Sequence, residues 1–145
     1  MRAYLPTILL LALVARAGAN VGLYPVTKQN VASVKEFTLQ TASTSDGKME
    51  FRITIPYDAK IQKVKIEYRL WSEPGGKGKI LSEKPIDASQ REANGPWTAT
   101  VVVAADALKD STIEVFCARS LPAHRPPVDM AYRIMVATFA TGDQK

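Results

Sequence analysis

The sequence predicts an all-β domain, built as a seven-stranded antiparallel sandwich of two sheets. Apolar and polar residues alternate with a period of two through most of residues 35–141, and no long window shows the spacing of an amphipathic helix. Turn-forming sequences separate the alternating segments, notably Asp-Gly at 46–47, Gly-Gly at 75–76 and Asn-Gly-Pro at 94–96. Glycine accepts positive φ and proline fixes its own φ, so these are the positions where the chain is expected to reverse.

Each alternating segment is predicted to be one strand. The segments are 35–43, 48–56, 62–72, 79–84, 97–104, 112–119 and 131–140. Alternate residues of a strand share a face, so the apolar set of each segment should fill the space between the sheets. The predicted core residues are Met49, Phe51, Ile53, Ile55, Val64, Ile66, Tyr68, Leu70, Trp97, Ala99, Val101, Val103, Ile113, Val115, Cys117, Tyr132, Ile134 and Val136.

Residues 1–19 are predicted to be a secretory signal peptide. Arg2 precedes an apolar run at 8–15, and Ala17 and Ala19 supply the small residues of a cleavage site. The run is shorter than the roughly 20 residues that a membrane-spanning helix needs, so no membrane insertion is expected after cleavage. The protein is therefore expected to be secreted or periplasmic. The rest divides into an N-terminal segment at 20–34, the sandwich domain at 35–141 and a tail at 142–145.

Charge and cysteine content narrow the possible partners. The chain has 145 residues, with 19 basic and 14 acidic side chains. Loss of Arg2 and Arg16 with the signal leaves 17 basic residues and a net charge of +3, which argues against nucleic acid as a partner. Cys117 is the only cysteine, so no disulfide can form within the chain. We expect a buried thiol, and an intermolecular disulfide stays open.

Three stretches resemble the immunoglobulin-like and fibronectin-type-III-like modules of secreted proteins. They are KIEYR at 65–69, GPWTATVVV at 95–103 and STIEVFCA at 111–118. The resemblance implies an immunoglobulin-like arrangement of the seven strands. It implies no activity, because such sandwiches carry many unrelated functions.

No catalytic or metal-binding pattern is found in the sequence. His124 is the only histidine, and no nucleophile-elbow, phosphate-loop or zinc-protease motif occurs. We therefore predict a protein that is not an enzyme and that has no cofactor, metal or catalytic residues. His124 and Arg125 lie in the proline-rich loop LPAHRPP and are predicted as loop contact residues only.

The strand pattern predicts a contact surface on the outer face of one sheet. Its residues come from the third, sixth and last predicted strands, which are neighbours in the usual sandwich. They are Lys65, Arg69, Trp71, Phe116, Arg133, Met135 and Phe139. Exposed aromatic, Met and Arg side chains are typical of protein interfaces. Two other arrangements are open: residues 20–34 fold over this face, or Lys and Arg stems cover its aromatic rings.

These observations predict a non-catalytic binding module that contacts another protein, or a second copy of itself, through this face. One alternative is a module that binds carbohydrate or a cell-envelope polymer, for which Trp71, Phe116 and Tyr57 are the available aromatic residues. A second alternative is a structural subunit of an envelope complex.

Overall fold

A computed structural model of the chain describes residues 22–119 and 128–140. Within these residues it contains nine strands in two sheets, so the all-β class is confirmed. The strands are β1 (Leu23–Val26), β2 (Thr38–Ser43), β3 (Met49–Ile55), β4 (Ile61–Glu73), β5 (Lys77–Ile86), β6 (Ser89–Gln90), β7 (Trp97–Val103), β8 (Ser111–Arg119) and β9 (Val128–Met135). Two 3₁₀ helices, Val31–Ser33 and Ala105–Asp110, and one short α-helix, α1 (Val136–Ala140), complete the described elements.

The two sheets form a β-sandwich-like fold. One has the strand order β1-β9-β8-β4-β5 and the other has the order β2-β3-β7-β6. Every one of the seven predicted segments overlaps a strand, and β1 and β6 are the two that the alternation missed. The prediction of purely antiparallel sheets is wrong at one edge, because β1 pairs with β9 in parallel. Pro25 within β1 is compatible with an edge position, where its missing N–H costs no ladder bond.

The core lies between the inner faces of both sheets, as the alternation predicted. Phe51, Ile53 and Ile55 of the four-stranded sheet and Ile113 and Val115 of the five-stranded sheet are completely buried. Burying an aliphatic or aromatic side chain of this size contributes about 1.5–3 kcal/mol. The strand parity on which the outer-face prediction depends is therefore correct for β3, β4, β7, β8 and β9. Leu70 of β4 is an exception to the predicted core, because it is only partly buried and is not part of the core cluster.

The prediction of a single strand over 131–140 is wrong for the second half of that segment. β9 ends at Met135, and α1 follows it directly. Because positions three apart share one side of a helical turn, Val136 and Phe139 both point inward. Phe139 is 7% exposed and packs edge-on against Phe51, with ring centroids 6.5 Å apart. Its predicted place on the outer face is therefore incorrect, since it belongs to the core.

The N-terminal segment extends the five-stranded sheet at its edge. β1 lies beside β9, with Leu23 opposite Ala131 and Val26 opposite Ile134. The Val26 side chain is buried in the core, as is Phe37 just before β2. Strand β1 thus adds to the sheet instead of crossing its outer face. Residues 1–21, which include the predicted signal, lie outside the described residues, as does the predicted tail.

Candidate interaction face

The outer face is the side of the five-stranded sheet that points away from the core. Strand register places its residues in four rows across β4, β8 and β9. Lys63 lies opposite Ala118 and Ala118 opposite Asp129; Lys65 lies opposite Phe116 and Phe116 opposite Ala131; Glu67 lies opposite Glu114 and Glu114 opposite Arg133; Arg69 lies opposite Thr112 and Thr112 opposite Met135. Charged residues of both signs therefore occupy the Glu114 row, and apolar residues occur in the rows on either side of it.

Glu114 is the centre of this face and is completely buried. Its Oε2 accepts a hydrogen bond from Nη1 of Arg69 at 2.6 Å. Its Oε1 accepts from Nε of Arg133 at 3.0 Å and lies 2.9 Å from Nη2 of the same side chain. A buried carboxylate is strongly destabilising unless it is paired and hydrogen-bonded. Two arginines on the flanking strands satisfy that condition here.

Glu67 continues the network towards β5. Arg69 donates from Nη2 to Oε2 of Glu67 at 2.9 Å, and Lys65 forms an ion pair with the other oxygen. Nε of Arg69 lies 3.4 Å from the Glu83 carboxylate on β5. Burial by itself raises the pKa of Glu67, but the hydrogen bond from Lys65 and the charges of Lys65 and Arg69 outweigh it. The pKa of Glu67 therefore lies below its ordinary value.

Trp71 is held in place by two contacts within the chain. Its Nε1 donates to Oγ1 of Thr112 at 2.8 Å. The guanidinium of Arg133 lies over its ring, 5.0 Å from the centroid, in cation–π geometry. The indole N–H and one face of the ring are thus occupied, and the side chain is only partly exposed.

The loop between β4 and β5 folds back over the same end of the face. The Gly75 N–H donates to the Lys109 carbonyl at 2.9 Å, and the Gly76 carbonyl accepts from Nη1 of Arg133 at 3.4 Å. Gly76 is buried at φ +75°, and a Cβ there would lie 2.9 Å from Cγ2 of Thr112. Only glycine fits this close approach with positive φ. The Trp71 end of the outer face, from Arg69 to the loop, is therefore closed by the chain itself.

No described residue covers the opposite end of the face. A shallow depression of about 180 Å³ is lined by Lys63, Lys65, Phe116 and Ala118. The Lys65 ammonium lies 5.7 Å from the Phe116 ring centroid, and its side chain is 52% exposed. We call these four residues the Phe116 end. It combines an aromatic ring with two lysines and has no covering loop among the described residues.

Most of the predicted contact residues do lie on the outer face, but they do not form one open surface. Lys65 and Phe116 lie at the open end. Arg69, Trp71, Arg133 and Met135 lie at the closed end, where a Cβ on Gly75 would come within 3.3 Å of Cε of Met135. Phe139 is in the core. His124 and Arg125 lie outside the described residues.

Sequence reasoning missed the two carboxylates that organise this face. Glu67 and Glu114 occupy outer positions of β4 and β8, where a charged residue is normally solvated, yet they are 4% and 0% exposed. A signal was present in β4, in which Lys65, Glu67 and Arg69 alternate in sign along one face. Alternating charges at every second strand position favour a network along the strand over a repulsive basic surface.

A second concave feature lies beside β1. A cavity of about 460 Å³ is lined mainly by apolar groups from Tyr24, Val34, Met130 and Tyr132. Tyr24 is 58% exposed, and its ring centroid lies 6.1 Å from that of Tyr132. Burial and a hydrogen bond to Glu36 raise the pKa of Tyr132, so the phenol is neutral at physiological pH. Sequence analysis did not predict this cavity.

The described residues offer little reactive chemistry. Cys117 is a buried free thiol, and burial raises its pKa to about 11, which keeps it protonated and unreactive. Across residues 22–119 and 128–140 no group of three His, Cys, Asp or Glu side chains could hold a metal ion. No helix in these two ranges is long and apolar enough to span a bilayer.

Comparison with known proteins adds no family to this description: the chain matches no protein-family model, and no curated protein is significantly similar to it.

Proposed function

We propose that this protein is a non-catalytic binding module of the secreted or periplasmic compartment that contacts another protein through the Phe116 end of its outer face. The observation that carries the proposal is the division of that face. One end is neutralised and covered by the chain's own arginines and loop, while at the other end no described residue covers the depression that Phe116 and two lysine stems line.

The chemistry of the Phe116 end favours a partner with an apolar side chain next to an acidic group. An apolar side chain can fill the depression against the aromatic ring, which is a common anchor at protein interfaces. Lys63 and Lys65 border it, and lysines at the rim of an interface steer and orient an acidic partner. The Lys65 side chain is 52% exposed although it pairs with the buried Glu67, so its ammonium can contact an acidic partner while Arg69 continues to pair with Glu67.

The order of the strands supports an immunoglobulin-like arrangement for the module. The order β2-β3-β7-β6 matches the A-B-E-D sheet of that fold, and β9-β8-β4-β5 matches its G-F-C-C′ sheet. We infer that β1 is an additional edge strand on this scheme. The outer face of the G-F-C sheet would then be the surface that carries the Phe116 end.

The predicted signal at residues 1–19 supports an exported module, and the lone buried thiol is compatible with one. A domain that needs no disulfide keeps its fold whether its surroundings are oxidising or reducing, and Cys117 is too buried to exchange.

Polysaccharide binding remains a second candidate because of one aromatic pair. Tyr57 is 44% exposed and stacks on Trp97, with centroids 6.3 Å apart and an interplanar angle of 26°. A ring held flat by a second ring is suited to stack on a sugar face. Titration with cell-envelope glycans should then quench tryptophan fluorescence, and Tyr57→Ala should abolish that response while Phe116→Ala leaves it unchanged.

Site-specific photo-crosslinking tests the primary proposal. A photoreactive amino acid is placed at position 116, and a matched control is placed at Val102, which is 50% exposed on the outer side of the other sheet. Position 116 should give a discrete crosslinked partner in the producing cells, and position 102 should not. The purified partner should then bind at least about tenfold more weakly to Phe116→Ala and to Lys65→Glu than to the wild type, because interface anchors contribute about 2 kcal/mol or more.

The proposal fails if the two crosslinking positions give the same products, or if the purified partner binds Phe116→Ala as tightly as the wild type. Val102→Ala serves as the control for a general effect of removing an exposed apolar side chain.

A further inference from the structure

We infer that the chain forms a two-fold dimer through antiparallel pairing of β2 with β2 of a second copy. The inference concerns a surface separate from the Phe116 end. It rests on a comparison of the four strands that end the two sheets, which are β1 and β5 in one and β2 and β6 in the other. Edge strands offer unpaired N–H and C=O groups to any other strand, and most proteins block them.

Three of the four edges are blocked in recognisable ways. β5 has two register irregularities against β4 and carries Lys77, Lys79, Lys84 and Pro85. Bulges, lysines and proline are the usual means by which an edge strand is kept from pairing. β1 has four residues and includes Pro25, and β6 has only two residues.

β2 has none of these features. Its six residues, Thr-Leu-Gln-Thr-Ala-Ser, include no charge and no proline. Its register with β3 is unbroken from Thr38 opposite Thr54 to Ser43 opposite Met49. All its residues are exposed apart from Leu39, which is partly buried against the core. Within the described residues, β2 is thus a straight, uncharged and uncovered edge.

A second copy of the same strand is the occupant that fits this edge best. An uncharged strand paired with itself brings no like charges together, whereas a charged peptide would lose hydration without gaining an opposite charge. Gln40 and Ala42 point to the outer side of the sheet with Arg52 and Glu50, their partners on β3. A two-fold axis perpendicular to the sheet keeps these outer sides together in the dimer.

In the dimer, residues that lie opposite each other must point to the same side of the sheet. Only two registers meet this condition with the two-fold axis near the middle of β2. Either Gln40 or Thr41 lies opposite its own counterpart. In the Thr41 register, Gln40 lies opposite Ala42 of the second copy. Each outer row then runs from Arg52 of one copy to Glu50 of the second copy, so its ends carry opposite charges. The Gln40 register would place Arg52 at both ends of one row. Three strand spacings, about 14 Å, separate the charged ends of a row, which exceeds the screening length in physiological salt, so charge favours the Thr41 register only slightly.

Sedimentation velocity of the protein, purified as the producing cells process it, tests this inference. A six-residue strand pair is a small interface, so the wild type should shift from monomer to dimer between about 10 µM and 1 mM. Thr41→Lys should weaken association at least about tenfold, since it places two lysines directly opposite each other. Thr100→Lys adds the same charge at an exposed position of β7, a central strand of the same sheet, and should leave the association unchanged.

A charge-swap experiment fixes the register. Thr41→Lys and Thr41→Glu should each associate at least about tenfold more weakly than the wild type, and an equimolar mixture should recover wild-type association, because opposite charges then meet across the axis. The inference is overturned if the wild type stays monomeric throughout the range, if Thr41→Lys associates like Thr100→Lys, or if the mixture does not recover the dimer. Association that persists in Thr41→Lys but is lost in Phe116→Ala would also overturn it, and would assign self-association to the Phe116 end.

Discussion

Replacing Glu114 with glutamine should show how strongly the buried network holds the outer face together. Glutamine keeps the shape of the side chain but removes its charge and one acceptor oxygen. Arg69 would still have the Glu67 carboxylate at 2.9 Å. Arg133 would keep the Gly76 carbonyl at 3.4 Å, its place over the Trp71 ring and at most the one amide oxygen of the new glutamine. Arg133 therefore loses its only carboxylate partner among the described residues, whereas Arg69 keeps one.

The expected magnitude follows from these contacts. Removing one partner of a fully buried ion pair costs about 3–5 kcal/mol. The side chains of Arg69 and Arg133 are 18% and 24% exposed, so water can compensate part of the loss. We therefore expect Glu114→Gln to lower the free energy of unfolding by about 2–4 kcal/mol. Adding Arg133→Met removes the unpaired cation and should restore at least about 1 kcal/mol of that loss.

Urea unfolding followed by tryptophan fluorescence measures this change, with Glu50→Gln as the control. Glu50 also pairs with an arginine, Arg52, but on an open strand surface where the arginine side chain is 57% exposed. Its replacement should cost less than about 1 kcal/mol. If Glu114→Gln and Glu50→Gln cost the same, the buried network does not stabilise the domain and the reasoning is refuted. Acrylamide should also quench Trp71 more readily in Glu114→Gln, because the Arg133 contact is weakened.

Three further outcomes are expected. Gly76→Ala should destabilise the fold more than Gly47→Ala, because both have positive φ but only Gly76 would bring a Cβ within 2.9 Å of Thr112; equal losses in urea unfolding would contradict the close approach. Iodoacetamide should modify Cys117 only in unfolded protein, since burial raises the pKa of this thiol to about 11; labelling of the folded protein at the unfolded rate would contradict its burial. The pKa of Glu67 is lowered in the folded state from an ordinary 4.5, so its contribution to stability is present above pH 4.5 and is lost as pH falls through the folded value. Glu67→Gln should therefore lose less stability than the wild type between about pH 6 and pH 3, and an equal loss would count against this ion pair.

Strand parity could be predicted because it is a local property of the chain. Ile113, Val115 and Cys117 alternate with polar or aromatic residues, and burial of every second side chain follows from the geometry of a strand. The seven predicted segments depended on this alternation and on the turn-forming sequences between them. Two-residue alternation cannot detect β6, which has only two residues, or the short β1 with its proline.

Helix α1 was missed because its apolar residues fit both the two-residue period of a strand and the 3.6-residue period of a helix. Val136 and Phe139 are three apart, and Met135, Ala137 and Phe139 are also two apart, so the segment continues the strand pattern as well as it begins a helical one. Contacts with residues distant in sequence decide whether this segment forms a strand or a helix. Phe139 has Phe51 as its partner in the core, and a continued strand would have turned its ring outward.

The closed end of the outer face could not be predicted for a similar reason. The glycines at 75–76 identify a turn, but its direction is set by Lys109, Thr112 and Arg133, which are far away in sequence. An arginine does lie over the Trp71 ring, but it is the guanidinium of Arg133 and not its aliphatic stem that makes the contact. Sequence reasoning also did not reveal that Glu114 would be buried beneath arginines.

The closed end and the open end of the outer face have a common physical origin. Two arginines and a tryptophan need partners when a loop removes water from them, and Glu114, Thr112 and the Gly76 carbonyl supply those partners. Because these groups already form hydrogen bonds within the chain, they have few free donors or acceptors for another molecule. A partner therefore gains the most binding energy at the Phe116 end. The proposed β2 contact belongs to the other sheet, and a dimer formed there would keep both Phe116 ends free. Such a dimer would present two identical contacts, and a partner surface that engages both gains affinity from effective concentration without any new contact. Weak edge pairing and a small aromatic depression would then reinforce each other.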